Sequence, residues 1–279
     1  MKSVLLPKLV NLPSILIPCI LQMVAWRLYY MKLNQDLKHN PVVCHQSVVQ
    51  KCRNILNQIY RVEYQGLSHV VENRPTLYVM RHASEIDFLI ASSIHSKCRY
   101  VTKPGLLKIP IIGLMTQSGQ HIVVNVKDAT SRQKAKDTMK WCLLNGYSLF
   151  VLPEGRLSKT KRLNHFHTSS LEMAVALHIP VVTITLSHAP TTIWQIPRHP
   201  LRITFHPPQV YTSTNLATTH IRNIMQHQTH WPAKTDQNHV AAHRAFAVGL
   251  LCFAFVMLML KKFVWSAVLF SAAIILFTG

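Results

Sequence analysis

Short apolar runs alternate with helix-forming segments through the middle of the chain, and this alternation constrains the fold more than any other feature. Runs 76–80, 99–102, 121–126, 148–152, 181–186 and 201–206 are rich in Val, Ile, Leu, Phe or Tyr, residues that suit strands. Segments 85–96, 131–144 and 169–177 read as helices between them. The second of these is well marked, with Thr130 or Ser131 as N-cap and Asn145-Gly146 as its stop. Such alternation predicts an α/β domain with a mixed, largely parallel sheet flanked by helices. Residues 187–200 read as a loop, and 212–243 as an irregular or helical polar stretch. No internal repeat is present.

The two ends differ from this middle. Residues 4–30 are mostly apolar but contain Pro7, Pro13 and Pro18, which disfavour one regular spanning helix. An interfacial or partly inserted helix over about residues 14–31 fits best, with Trp26, Tyr29 and Tyr30 at headgroup level. A full span and a buried core helix are the alternatives. No small-residue cleavage site follows, so a signal peptide is disfavoured. At the other end, residues 245–260 and 263–279 carry no charge and flank Lys261-Lys262. A helical hairpin, a single tilted span with snorkelling lysines and a shallow re-entrant pair all fit, and two segments fit slightly better.

The net charge of +20 arises from 30 Lys+Arg against 10 Asp+Glu, while 49% of residues are hydrophobic. That apolar content excludes a disordered polycation. The charge draws anions: nucleic acid, an anionic bilayer or phosphorylated small molecules. No zinc-finger, RRM or helix-turn-helix pattern accompanies it, which disfavours nucleic acid. The six cysteines include no C-x-x-C pair, so reduced thiols in a cytosol-facing protein are the better reading. Close histidine pairs, His165 with His167 and His227 with His230, are the only hints of a metal site, and none is expected.

Two short segments hold three of the ten acids. The first, Arg81-His82-Ala83-Ser84-Glu85-Ile86-Asp87, follows the run 76–80 and opens a helix. Ser84 and Asp87 have capping-box spacing. Across the strand-to-helix turn, His82 and Asp87 can meet, whereas on one continuous helix they would face apart. A carboxylate on one imidazole nitrogen fixes the tautomer and leaves the other nitrogen as a base. A plain cap with a surface histidine is the alternative, since the chain has 17 histidines. The second segment is Pro153-Glu154-Gly155-Arg156-Leu157-Ser158-Lys159. Proline ends the preceding strand, and Gly155 allows close backbone approach to a ligand. Arg156, Lys159, Lys161 and Arg162 form a cationic loop suited to phosphate. A solvated loop with a local Glu154–Arg156 pair is the alternative.

Together these blocks resemble the glycerolipid acyltransferase family, which includes 1-acyl-sn-glycerol-3-phosphate acyltransferases. The family pattern H-x-x-x-x-D corresponds to His82 and Asp87, and its P-E-G block to Pro153-Glu154-Gly155. A K-x-x-L…P-x-x-G stretch is matched by Lys103-Pro104-Gly105-Leu106 and Pro110-Ile111-Ile112-Gly113. The later apolar-Pro-apolar strand is matched by Ile179-Pro180-Val181-Val182. Within the family the sequence looks most like the acyltransferase half of bacterial acyl-ACP synthetase/2-acylglycerophosphoethanolamine acyltransferases, which share P-E-G-R and a strand followed by a Pro-Pro-x-Gln-Val pattern, here Pro207-Pro208-Gln209-Val210. Two positions depart from the pattern. Arg81 stands where Asn is usual, and Asn125 stands where many members carry Arg, with Lys127 two residues on.

The resemblance implies a membrane-bound O-acyltransferase. It would move a fatty acyl group from acyl-CoA or acyl-ACP to the free hydroxyl of 1-acylglycerol 3-phosphate or a lysophospholipid. His82 is the implied general base and Asp87 its partner. Glu154, Gly155, Arg156 and Lys127 are the implied phosphate-binding residues, with Ser84, Lys103 and Ser158 in support. No cofactor or metal is implied, because the acyl carrier is a cosubstrate. The implied partners are membrane lipids and acyl-CoA or acyl carrier protein, with the catalytic domain facing the cytoplasm, at the inner membrane if bacterial. The expected organisation is a membrane-associated segment (1–40), the acyltransferase domain (41–215), a polar linker (216–244) and C-terminal membrane segments (245–279). A catalytically silent, lipid-binding relative is the alternative.

Overall fold

A computed structural model describes residues 41–108, 113, 116–117, 119–158, 162–190 and 199–226. All of them lie in one compact unit, Lys32–Asp236. The chain opens with helix α1 (Pro41–Tyr60) and strand β1 (Glu63–Gln65). Then come β2 (Leu77–Met80), α2 (Asp87–Ser93), β3 (Cys98–Thr102), β4 (Ile122–Val123), α3 (Ala129–Leu144) and β5 (Ser148–Val151). Helix α4 (Ser169–Ala176), β6 (Val181–Ser187), β7 (Arg202–Phe205) and α5 (Thr214–Gln226) complete it.

The strands form one sheet in the order β1-β7-β6-β2-β5-β3-β4. β2 pairs in parallel with β5 and β6, β3 in parallel with β5 and β4, and β1 in parallel with β7. Only the β6–β7 pairing is antiparallel among the described strands. The mixed, largely parallel sheet is as expected. Its centre, β2, is buried at every position, as befits a parallel strand covered on both faces. Leu77 and Val79 join a core with Met139, Leu143, Leu171, Ile221 and Met225 from α3, α4 and α5. Tyr78 turns to the other face, where its ring meets His95 edge-on. Helices α1 and α2 pack together. Arg53 of α1 donates from Nε to the Ser93 carbonyl (2.8 Å) and from Nη2 to that of Ile94 (2.6 Å). A cation there satisfies carbonyls left open at the end of α2.

Several expected boundaries shift. α3 begins earlier, at Ala129, because the Asp128 carboxylate rather than Thr130 or Ser131 caps it, accepting from the Thr130 N–H. β4 is shorter than 121–126, because Asn125 turns the chain: its Oδ1 accepts from the Lys127 N–H. Residues 216–226 do not begin a polar linker. They lie in α5, whose Ala217, Ile221 and Met225 recur every fourth residue and are fully buried. No helix among the described residues is long and apolar enough to cross a membrane. The apolar segments 14–31, 245–260 and 263–279 lie outside those residues.

Because β2 through β6 run parallel to one another, their carboxyl ends share one edge of the sheet. The residues that follow them are His82 after β2, Lys103 after β3, Asn125 and Lys127 after β4, Pro153 to Arg156 after β5, and His188 after β6. Open α/β sheets bind ligands at this edge.

Candidate active site

The turn after β2 closes on one carboxylate oxygen. Asp87 Oδ2 accepts from His82 Nδ1 at 2.8 Å and from the backbone N–H groups of Ala83 (3.0 Å) and Ser84 (3.2 Å). A carboxylate oxygen already holding two N–H groups acts as acceptor, so the imidazole proton sits on Nδ1 and Nε2 keeps its lone pair. The His82 side chain is 27% exposed and that of Asp87 only 2%. The base is therefore reachable, and its partner is shielded from water. Burial pushes the Asp87 carboxyl above its ordinary range, against the pull of the His82 contact and the two backbone donors.

The capping box is half formed. Asp87 receives the Ser84 N–H, but Ser84 Oγ accepts from the Ile86 N–H and donates to the Pro190 carbonyl. Ser84 thereby ties the turn to the chain leaving β6.

The turn after β5 grips the same histidine from the other side. Ser158 N–H donates to the His82 carbonyl (2.7 Å), and His82 N–H donates to Glu154 Oε1 (3.2 Å). Glu154 Oε2 accepts from the Asn164 N–H (2.8 Å). Arg81 Nε lies 3.8 Å from the same carboxylate, both side chains being buried. Arg81 Nη2 donates to Ser158 Oγ (2.7 Å) and to the Arg162 carbonyl (3.1 Å). A carboxylate buried this deeply needs a cation, and Arg81 supplies it. The sequence showed Arg81 only as a departure. Its pairing with Glu154 spans two strands, and local pattern does not reveal it.

Gly155 has φ 62°. A Cβ there would lie 3.0 Å from Cδ2 and 3.1 Å from Nε2 of His167. Gly155→Ala is expected to lower stability by about 1–2 kcal/mol, the cost of a left-handed residue bearing a Cβ, and to displace the His167 ring. The urea midpoint measures the first effect, and the NMR shifts of the His167 ring measure the second.

A cleft of about 400 Å³ opens beside these turns, lined by Lys103, Glu154, Gly155, Arg156, Asn164, His165 and His167. The wall from Asn164 to His167 is bonded to the Pro153–Arg156 turn: His167 N–H donates to the Pro153 carbonyl (2.8 Å), and Arg156 Nη2 reaches Asn164 Oδ1 (3.4 Å). Of the expected site residues, Lys103, Glu154, Gly155 and Arg156 line the cleft, and His82, Asp87, Ser84 and Ser158 belong to the hydrogen-bonded turn joined to it through Glu154. Lys127 does not. It is exposed and absent from the cleft lining, because β4 lies two strands beyond β5, roughly 10 Å away at ordinary strand spacing. Glu154 is also placed differently from expectation, with both oxygens turned to backbone donors and Arg81 rather than to a ligand. Lys159 and Lys161 lie outside the described residues. Among the described residues, no group of three or more His, Cys, Asp or Glu is placed to hold a metal ion.

A parallel-sheet edge bearing an imidazole–carboxylate pair beside a cationic cleft defines a class of site suited to proton transfer next to an anionic ligand. The comparisons specify the class. Residues 61–187 match the Acyltransferase family model. It is similar to the chloroplastic 1-acyl-sn-glycerol-3-phosphate acyltransferase of Brassica napus, 31% identical over 174 residues, covering 59% of this chain and 49% of that one. A chloroplastic 1-acyl-sn-glycerol-3-phosphate acyltransferase of Arabidopsis thaliana is 33% identical over 132 residues, 46% of this chain and 36% of that one. The chain thus spans half or less of the length of these relatives. The crystal structure of the 1-acyl-sn-glycerophosphate acyltransferase of Thermotoga maritima shares the fold, with a TM-score of 0.58 and 16% identity over 78% of this chain and 94% of that one.

Proposed function

We propose that the chain transfers a fatty acyl group from a thioester, acyl-CoA or acyl-ACP, to the free hydroxyl of 1-acylglycerol 3-phosphate. The observation that carries this reading is the 2.8 Å contact between His82 Nδ1 and Asp87, which leaves Nε2 for a substrate proton, in a turn whose His82 N–H is bonded to Glu154 of the cationic cleft. His82 Nε2 takes the proton of the acceptor hydroxyl as its oxygen attacks the thioester carbonyl. The tetrahedral intermediate collapses, the C–S bond breaks, and the thiolate leaves with the proton that His82 held. Asp87 orients the ring and stabilises the transient imidazolium.

Arg156 and Lys103 hold the acceptor phosphate, and Gly155 lets it approach the backbone. Glu154 and Ser158 are positioning residues, acting through the His82 main chain. No cofactor is needed, because the thioester supplies the activated acyl group. The apolar segments at both ends would keep the site at a bilayer, where the acceptor resides.

Incubation of the full chain in detergent micelles with radiolabelled acyl-CoA or acyl-ACP and 1-acylglycerol 3-phosphate is expected to yield labelled phosphatidate. Absence of product with both donors would contradict the proposal.

A further inference from the structure

The cleft has a wall that the acyl-transfer chemistry does not use. In its segment 165–167 a buried side chain stands between two exposed ones. Phe166 is 2% exposed and sits in the core, with the Arg222 guanidinium over its ring. Its neighbours His165 and His167 are exposed and line the cleft together with Arg156 and Lys103.

Histidines on a free loop are ordinarily solvated. These two stand on a fixed backbone. Asn164 N–H is bonded to Glu154, the Asn164 carbonyl accepts from Arg222 Nη1 (2.9 Å), and His167 N–H is bonded to Pro153. Gly155 leaves room for the His167 ring against its Cα. The two rings stand nearly perpendicular, at 79°, with centroids 6.2 Å apart. They do not stack, and each keeps its own ring nitrogens for a ligand. One tetrahedral anion bridges donors at such a separation through hydrogen bonds of about 2.8 Å.

We infer that His165 and His167 bind the acceptor headgroup and select a terminal phosphate monoester over a phosphodiester. This inference rests on the acyl-transfer reading and adds the determinant of acceptor class. A monoester presents three acceptor oxygens and about −1.5 to −2 charges at pH 7. A diester has only two non-bridging oxygens and a single charge. Lys103 and Arg156 suffice for a single charge. Two further donors in the same cleft are used only when a third oxygen and the second charge are present. The one carboxylate in the cleft, Glu154, does not oppose this, because its oxygens are taken by backbone N–H groups and Arg81.

The test is the His165→Ala, His167→Ala double variant of the full chain, with His167→Gln as a milder companion that retains a side-chain donor. Transfer is measured with 1-acylglycerol 3-phosphate and with 1-acylglycerophosphoethanolamine. The double variant is expected to raise the KM for the monoester about tenfold, the effect of losing charge-assisted hydrogen bonds. The KM for the diester, the KM for the thioester and kcat should stay within about twofold. The preference for monoester over diester then falls about tenfold. An unchanged monoester KM, or an equal loss for both acceptors, would overturn the inference. Should the wild-type chain transfer no acyl group, the acyl-transfer reading fails by itself. The histidine assignment is then decided by equilibrium binding of 1-acylglycerol 3-phosphate micelles, which the double variant should weaken about tenfold and which an irrelevant histidine pair would leave unchanged.

Discussion

His82→Ala lowers kcat by about 10²–10⁴-fold, the usual contribution of a positioned general base, and leaves the KM for both substrates nearly unchanged. The imidazole is partly exposed and packs into no core, so its removal should hardly affect the melting temperature. Asp87→Asn gives a more telling signature. The amide oxygen can still accept from the Ala83 and Ser84 N–H groups, but it no longer fixes the His82 tautomer. An equivalent change in another His–carboxylate pair drops kcat about 10⁴-fold.

Stability should move the other way. Burial holds the Asp87 carboxyl above its ordinary range. A group raised in the folded state contributes stability that is full below its unfolded pKa and is lost as pH rises through its folded pKa. At neutral pH the ionised Asp87 is therefore held at a cost, which asparagine removes. Asp87→Asn should melt at or above the wild-type temperature near pH 7, and its advantage should shrink on acidification. Thermal melts of both proteins between pH 4 and 8 check this. A marked loss of stability in Asp87→Asn would make the carboxylate a structural cap rather than a working group.

The second large effect is on stability. Glu154→Ala removes the counterion of the buried Arg81 and strips an acceptor from the backbone N–H groups of His82 and Asn164. Breaking a buried pair from one side typically costs about 3–5 kcal/mol. Chemical denaturation should show a loss of that size, together with a fall in kcat, because the His82 main chain loses an anchor. Adding Arg81→Met should restore part of the stability, since no uncompensated charge then remains. Activity should stay low, because the His82 N–H still lacks its partner. A Glu154→Ala protein as stable and as active as the wild type would refute the positioning role.

How far the sequence carries depends on where each signal resides. The interior strands were legible because a strand buried on both faces is a short, nearly pure apolar run, as at Leu77–Met80 and Ser148–Val151. β1 was not. Its Glu63 and Gln65 face solvent, and its place comes from partners far along the chain, Glu63 meeting Arg202 at 3.0 Å. α1 carried a readable signal in Val48, Cys52, Leu56 and Tyr60, which recur every fourth residue and are buried. That signal is weak beside the polar residues between them.

At the site, the meeting of His82 and Asp87 follows from local turn geometry and was expected. The Arg81–Glu154 pair depends on β2 and β5 lying side by side and could be seen only in three dimensions. It also gives Arg81 a structural reason. Standing where Asn is usual in the pattern, it places a cation where the buried Glu154 requires one. Lys127 stands outside the cleft lining for a similar reason: strand order, which spacing along the chain does not encode, sets β4 two strands from β5.

The central claim is that His82 acts as a base and not as an acyl-carrying nucleophile. Single-turnover release of free thiol from the acyl thioester, with and without 1-acylglycerol 3-phosphate, tests it most directly. The account predicts that the wild-type chain releases thiol only when acceptor is present, one for each phosphatidate formed, and that His82→Ala releases almost none. A burst of thiol without acceptor, or wild-type release by His82→Ala, would contradict it.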